Sequence, residues 1–318
     1  MASSWRPGTE PGALRARADL LAAVRAFFAE RDVLEVDTPV LARHTVTDPA
    51  IASIPAGDGW LQTSPEYFMK RLLAAGSGPI YQIARAFRAG EQGRLHNPEF
   101  LLLEWYRPGF DDAALMEEMD ALFATLLPGF PARRTSFRTL VDDAFGVDAL
   151  TAGTAELAAA LRRAWDASDR EGDPLTLADG RREGLLDLLY AEASEGIRGA
   201  AFVTDFPPSM AALARLRTDA AGREVAARFE LVVDGVELAN GFHELADAEE
   251  QRARFEADRA ARRGAGLDAP AVDEHLLAAL AAGLPDCAGV AVGLDRVLLL
   301  ATGADRLDAV MPFTGPRT

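Results

Sequence analysis

The chain has 318 residues, 49% of them hydrophobic and 26% charged, the composition of an ordinary globular protein able to bury a sizeable core. A formal net charge of -16 argues against a broad surface for phosphate backbones, which relies on clustered Lys and Arg, so no tRNA or other nucleic-acid partner is expected. A single cysteine, Cys287, excludes an internal disulfide, His44, His96, His243 and His275 have no zinc spacing, and no signal-like N-terminus or membrane-length apolar run occurs, so a reduced, cytoplasmic protein without a membrane partner is expected.

Length alone suggests two domains, but no Pro/Gly/Ser-rich linker or charge block divides the chain. A single elaborated domain, 1–318, is therefore expected, with 1–12 as a tail. Leu14, Ala18, Leu21, Val24 and Phe28 recur at helical spacing and predict an amphipathic helix from Ala13 to Glu30. An extended piece, Val33 to Val36, follows and is halted at Pro39. Trp60 to Thr63 reads as a strand. Ser64-Pro65-Glu66 then opens a helix through about Ala75, with Ser64 as N-cap and Pro65 in the first turn. A helix start favours those residue types in any case, so a ligand role for Ser64 or Glu66 does not follow from them alone.

Ile80 to Arg88 and Phe100 to Tyr106 are rich in β-formers and read as two strands joined by a polar, arginine-bearing loop that can grip a nucleotide. With period 2, Ala84, Ala86 and Arg88 share one face of the first strand, and Phe100, Leu102, Glu104 and Tyr106 one face of the second. The opposite face, Leu101, Leu103 and Trp105, is apolar enough to pack on helices. Glu104 and Tyr106 must therefore meet something polar; the bland alternative is a wet hairpin face.

From about 111 to 227 the chain reads as a mostly helical insertion without a motif, with helices over Ala113–Leu127, Ala155–Trp165 and Glu183–Glu195 and a strand at Phe202–Thr204. Arg228–Val233 and Val236–Ala239 flank Asp234-Gly235, a strong hairpin signal. With those two as turn residues, Val233 faces Val236, Val232 faces Glu237 and Glu230 faces Ala239. Glu230 and Glu237 become diagonal neighbours within ~7–8 Å at the backbone. Such carboxylates repel unless a cation lies between them, and Mg²⁺ with a phosphate ligand satisfies both; a solvated strand face is the alternative. Gly241 is a natural bulge that would bring Asn240 and Glu244 back to the same face, and His243 reads as structural. Gly289 to Leu300 reads as a buried strand, then Gly293, then a helix. Arg296 lies in its first turn, where the helix dipole favours anions, and Asp295 could pair with Arg296 or cap the helix. Basic charge is nearly all arginine, Lys70 being the only lysine, a bias that reads as genomic base composition.

Taken in order, these segments resemble motifs 1, 2 and 3 of class II aminoacyl-tRNA synthetases of lysyl type. Leu34-Glu35-Val36-Asp37-Thr38-Pro39 resembles motif 1, Phe87-Arg88 with His96 to Phe100 and Glu104-Trp105-Tyr106 resembles motif 2, and Gly293-Leu294-Asp295-Arg296 resembles motif 3. Thr63 to Tyr67 and Arg228 to Glu244 extend the match. Only a short helix precedes motif 1, where a lysyl-tRNA synthetase carries an anticodon-binding barrel. The chain is thus similar to the truncated paralogues, the elongation factor P–(R)-β-lysine ligases. The resemblance implies an α+β fold, an antiparallel sheet flanked by helices. It also implies ATP and Mg²⁺, adenylation of (R)-β-lysine, transfer to a lysine ε-amine of elongation factor P, and a homodimer built on motif 1.

By the same resemblance Arg88 would bind the α-phosphate and stabilise charge during attack, and Arg296 would hold the γ-phosphate end. Glu91, His96, Asn97, Phe100, Leu238 and Gly293 would complete the ATP site with Glu237, Phe100 stacking on adenine. Glu230 and Glu237 would bind Mg²⁺. Ser64, Glu66, Glu104, Tyr106, Asn240, Glu244 and Ala291 would receive the diamino acid. Two positions depart from the family pattern: the adenine-reading Glu of motif 2 is replaced by Gly90, with Glu91 beside it, and Ala291 stands at a motif 3 glycine, where one methyl can disfavour α-lysine by ~1–3 kcal/mol. An adenylate-forming ligase with another acceptor, or a catalytically silent ligand-binding paralogue, are the alternative readings.

Overall fold

The computed structural model describes residues 5–127, 130–167 and 170–315. Contacts divide the chain into two compact units, one formed by 1–128 with 244–318 and the other by 129–243.

The first unit opens with α1 (Pro11–Ala29), Pro11 taking the first helical position where a missing N–H costs nothing. Its buried stripe is Leu20, Val24, Phe27 and Phe28, while Leu14 of the expected stripe is exposed. After β1 (Leu34–Glu35), a small sheet forms from β2 (Leu41–Ala42), β3 (Pro55–Ala56) and β4 (Gly59–Leu61), in the order β2-β4-β3. Next come α2 (Glu66–Ala74), β5 (Ile80–Phe87), β6 (Glu99–Pro108) and α3 (Asp112–Leu126). The β5–β6 pairing is the expected hairpin: Ala84 faces Leu102 and Ala86 faces Phe100. On the other face Trp105 meets Phe28, which stacks on Tyr81 with ring centroids 4.4 Å apart. That apolar face against α1 is what the alternation demanded.

The second unit runs β7 (Arg133–Ser136), α4 (Phe137–Phe145), α5 (Thr154–Asp166), α6 (Pro174–Leu177), α7 (Arg182–Glu195), β8 (Ala200–Phe206), β9 (Leu216–Thr218), β10 (Glu224–Val233) and β11 (Val236–His243). Its strands order as β11-β10-β8-β7, with β9 also paired to β10. The helical reading of 111–227 holds for α5 and α7 but omits β7 and β9. Both are short and charged (Arg133-Arg134 and Arg217), so neither shows an apolar alternation. The core gathers Phe137, Leu157, Leu186, Val203 and Phe206.

The chain then returns to the first unit through α8 (Ala248–Gly264), α9 (Glu274–Gly283), β12 (Cys287–Gly293) and α10 (Leu294–Thr302). Within that unit the strand order is β1-β5-β6-β12, with β1 parallel to β5 and the other pairs antiparallel. The architecture is mixed α and β, with mainly antiparallel sheet flanked by helices. No helix among the described residues is long and apolar enough to cross a membrane.

Candidate active site

The expected residues fall in both units, which are described in turn. In the first unit, β6 and β12 pair so that Glu104 faces Ala291 and Tyr106 faces Gly289. Glu104 is buried and accepts from the Ser64 hydroxyl at 2.7 Å and the Tyr106 hydroxyl at 2.8 Å. Ser64 Oγ also accepts from the Glu66 backbone N–H at 3.0 Å, meeting a donor at the start of α2 while serving Glu104. The helix itself begins at Glu66 with Pro65 in the cap position, one residue later than expected. On α2, Lys70 Nζ lies 2.8 Å from Glu66 and 2.6 Å from Glu244.

Gly289 makes this arrangement possible. A Cβ there would come within 2.3 Å of the Tyr106 ring and 2.6 Å of the Glu244 carboxylate. Ring and carboxylate therefore lie directly on the strand backbone.

Burial pushes the Glu104 carboxyl up to about 8, and the charge of Glu66 adds to it; the bonds from Ser64 and Tyr106 pull the other way. At neutral pH Glu104 thus holds a proton until a cation arrives to favour its ionised form. The Tyr106 phenol is raised by burial and by Glu104. For Lys70, burial lowers the value, but the charges of Glu244 and Glu66 outweigh it and keep the ammonium charged well beyond the usual range.

Arg88 follows the last residue of β5, its backbone N–H donating to Pro98 O at 2.9 Å. The guanidinium lies 3.5 Å from Glu91 and 5.1 Å from the centre of the Phe100 ring, and its Nε is buried without a hydrogen-bond partner. A buried donor next to a weak ion pair suits an incoming phosphate. Gly90 has φ +77°, in the left-handed region where a glutamate side chain would carry strain. The adenine-reading residue of the family pattern is thus replaced by a turn glycine that sets Glu91 beside Arg88.

Farther along the loop, Arg296 of α10 donates to His96 Nε2 at 2.9 Å and to Leu95 O at 3.3 Å, so the motif 2 loop and the motif 3 arginine meet. Asn97 uses its side chain within the protein, donating to Glu99 O at 2.6 Å and accepting from Gly315 N at 3.4 Å. Gly293 is the N-cap of α10. Asp295 neither caps that helix nor pairs with Arg296: it accepts from Arg17 of α1 and from the Leu101 N–H. The reason is reach, since the buried carboxylate points back toward β6 and α1.

In the second unit, Asp234 (φ +49°) and Gly235 (φ +77°) form the two-residue turn, as in a type I′ hairpin. Val233 faces Val236 and Val232 faces Glu237, as expected, but Glu230 faces Asn240 rather than Ala239. The ladder shifts between Leu231 and Val232, making Leu238 the extra residue of a bulge. The bulge is therefore at Leu238, not Gly241. Gly241 instead admits the Phe229 ring, whose nearest atom would lie 2.3 Å from a Cβ.

Glu230 accepts from Arg228 at 2.5 Å and from the Tyr190 hydroxyl at 2.6 Å, and Arg228 Nε also donates to Asn240 at 3.1 Å. Burial pushes the Glu230 carboxyl up to about 7, the charge of Glu237 contributing next. Both carboxylates line a cleft of about 280 Å³ with Arg228, Tyr190 and Asp187. Among the described residues no group of three or more His, Cys, Asp or Glu could hold a metal by itself. The pair does fit Mg²⁺ bound in the manner of phosphate sites, where one or two carboxylates are completed by phosphate oxygens and water. Mutual repulsion of Glu230 and Glu237 is what such a cation relieves.

Sequence reading missed Lys70, Tyr190 and Arg228. Lys70 stands one helical turn after Glu66, a legible i,i+4 pair. Arg228 lies two residues before Glu230 on the same strand face. Tyr190 is brought to Glu230 from 40 residues away and has no local signal. His243 contributes its carbonyl to Arg215 N at 2.9 Å, in keeping with a structural role.

Residues 9–317 match the family described as tRNA synthetases class II (D, K and N). The chain is 47% identical over 331 aligned positions to the elongation factor P–(R)-beta-lysine ligase of Vibrio parahaemolyticus, with 99% of each chain covered. It is 47% identical to the protein of that name from Vibrio cholerae, again covering 99% of each. The Edwardsiella ictaluri protein of that name is 46% identical, over 99% of this chain and 98% of the other.

Proposed function

The chain belongs to the class II tRNA synthetase family, among the elongation factor P–(R)-beta-lysine ligases, and from that premise we propose that it activates (R)-β-lysine with ATP and transfers it to a lysine of elongation factor P. The observation that carries the substrate reading is the cluster of half-buried Glu66 with buried Glu104 and Glu244 beside Tyr106, three carboxylates where two ammonium groups need partners. Ser64 would orient Glu104, to which it donates at 2.7 Å, and Ala291, opposite Glu104 in the β6–β12 ladder, would line the same place. Asn240 would assist at the substrate carboxylate.

In the first half-reaction a carboxylate oxygen of the amino acid attacks the α-phosphorus of ATP, the bond to the β-phosphate oxygen breaks, and pyrophosphate leaves. Arg88 would hold the α-phosphate and offset the charge that builds in line, an electrostatic contribution made by a donor already in position. Arg296 would hold the γ-phosphate end, exchanging its bond to His96 for phosphate oxygens. Phe100 and Glu91 would receive the adenine, with Leu238 and Gly293 as close backbone contacts, while His96 and Asn97 shape the loop. Glu230 and Glu237 would hold Mg²⁺, which when bound screens the triphosphate. In the second half-reaction the acceptor's neutral ε-amine attacks the mixed anhydride carbonyl, AMP leaves and the amine gives up a proton.

Exposed Leu34 in the motif 1 segment, with exposed Val40 and Leu41 directly after it, supports self-association as a homodimer. ATP–pyrophosphate exchange should run much faster with (R)-β-lysine than with α-lysine, and labelled (R)-β-lysine should appear on elongation factor P. An equal or reversed exchange preference would sink the substrate assignment, and an unlabelled factor the acceptor assignment.

A further inference from the structure

Of the 33 basic residues in the chain, Lys70 alone is lysine. A composition bias that places arginine at every other basic position spared this one, and the geometry says why. Lys70 is 1% exposed and bridges two carboxylates, at 2.8 Å and 2.6 Å. A compact ammonium with three donors can sit between them; a planar guanidinium demands more room and a fixed fork.

The groups around it can be counted. Glu66 is one turn earlier on α2, and Glu244 is fixed by its backbone N–H on Cys287 O at 3.0 Å. Beyond them stand Glu104 and Tyr106 of β6. Helix α9, packed on α2, buries Leu276, Leu277 and Leu280. With every carboxylate ionised, the three acids and the one lysine leave two negative charges to be met.

We propose that Lys70 is the pocket's resident counter-ion, a positioning residue that ties Glu66 to Glu244 and sets the charge deficit of the cluster at that of the two ammonium groups of a diamino acid. This rests on assigning Glu66, Glu104 and Glu244 to the amino-acid substrate. A pocket of three carboxylates without Lys70 would hold a charge that a diamino acid cannot balance, and would keep protons where the substrate needs acceptors. With Lys70 in place, the only proton to be displaced is the one on Glu104, and it leaves to solvent as the second ammonium enters.

A single lysine makes the test direct. Protein grown with ζ-¹⁵N-lysine gives one Nζ signal, which should remain that of an ammonium at about pH 10, near the ordinary lysine midpoint. It should move on saturation with (R)-β-lysine and stay in place with MgATP alone. In parallel, Lys70→Met should raise KM for (R)-β-lysine at least about ten-fold, since one partner of a buried charge pair is lost, with KM for ATP within about two-fold. Its kcat/KM for the amino acid should also reach half-maximum at higher pH than in the wild type. An Nζ signal that saturating amino acid does not move overturns the inference, as does a folded Lys70→Met protein with unchanged KM and pH profile. If that variant does not fold, the wild-type Nζ signal decides. Glu104→Gln separates the two layers: amino-acid KM unchanged in that variant overturns the substrate pocket itself, whereas a raised KM there with a negative Lys70 result overturns only the role of Lys70.

Discussion

Arg88 and Glu104 show how much a single side chain's surroundings decide. Both are charged residues on a hairpin, and on sequence alone each is more ordinarily a solvated group. In the structure one has a buried Nε with no partner and the other a carboxyl that burial pushes up to about 8. Arg88→Ala should lower ATP–pyrophosphate exchange by about 10²–10³-fold, the usual cost of one donor aimed at developing charge. Retention of most of the exchange would show that another group carries the α-phosphate. On the proposed pairing of a diamino acid with ionised Glu104, whose carboxyl is raised to about 8, the apparent KM for the amino acid should fall as pH rises from about 6 to 8. A KM that is flat over that range would remove Glu104 from the recognition of ammonium groups. The Glu66–Lys70 pair sits at the i,i+4 spacing of a helix, a local signal that sequence reading passed over. Tyr190 has no such signal, since nothing near it in the chain points to Glu230.

At the scale of elements, hairpins and helices were readable because turn chemistry and periodicity act locally. Asp234-Gly235 requires the turn found, and the alternation from Phe100 to Tyr106 gives the face found. The bulge at Leu238 was not readable: it places one extra residue opposite a regular strand, a choice made by side chains packed on both faces. Two glycines mark such choices. Gly289→Ala should displace Tyr106 and Glu244, raising KM for the amino acid more than KM for ATP; equal effects on both would mean the change spreads beyond the pocket. Gly241→Ala forces the Phe229 ring aside and should destabilise the protein by roughly 1–3 kcal/mol, the range for overpacking. Phe229→Leu combined with it should recover part of that loss, and denaturant titration of the double-mutant cycle would expose additivity if the two do not touch.

Across the whole molecule, the raised carboxyls set the pH response of stability. Glu104, at about 8, and Glu230, at about 7, keep protons in the folded state that the unfolded chain releases near 4.5. The folded state binds more protons between those values, so stability falls as pH rises from about 5 to 8. Asp148, Asp173, Asp219 and Glu274 are lowered, so their stabilisation is present above their unfolded values and lost only in acid. Lys70, raised above its unfolded value of 10.5, contributes stability that is fully present below that value and lost only above it, outside this window. Thermal midpoints without amino acid should therefore decline from pH 5 to pH 8, and a rising midpoint would show that the two carboxyls titrate normally. Light scattering should give the mass of a dimer, with Leu41→Asp shifting it toward the monomer; a wild-type monomer would leave Leu34, Val40 and Leu41 as plain exposed side chains.

By itself the sequence determined the local order of this protein: the motif-bearing strands, the tight turn, the helix starts and the family to which their sequence of motifs belongs. Those features depend on backbone sterics, turn residues and period, which neighbours in the chain supply. Tertiary structure alone decided which charges are buried together. It set Lys70 between Glu66 and Glu244, Arg17 on Asp295, and Tyr190 on Glu230. The cost of removing a charge from water depends on everything that surrounds it, and those surroundings come from distant parts of the chain.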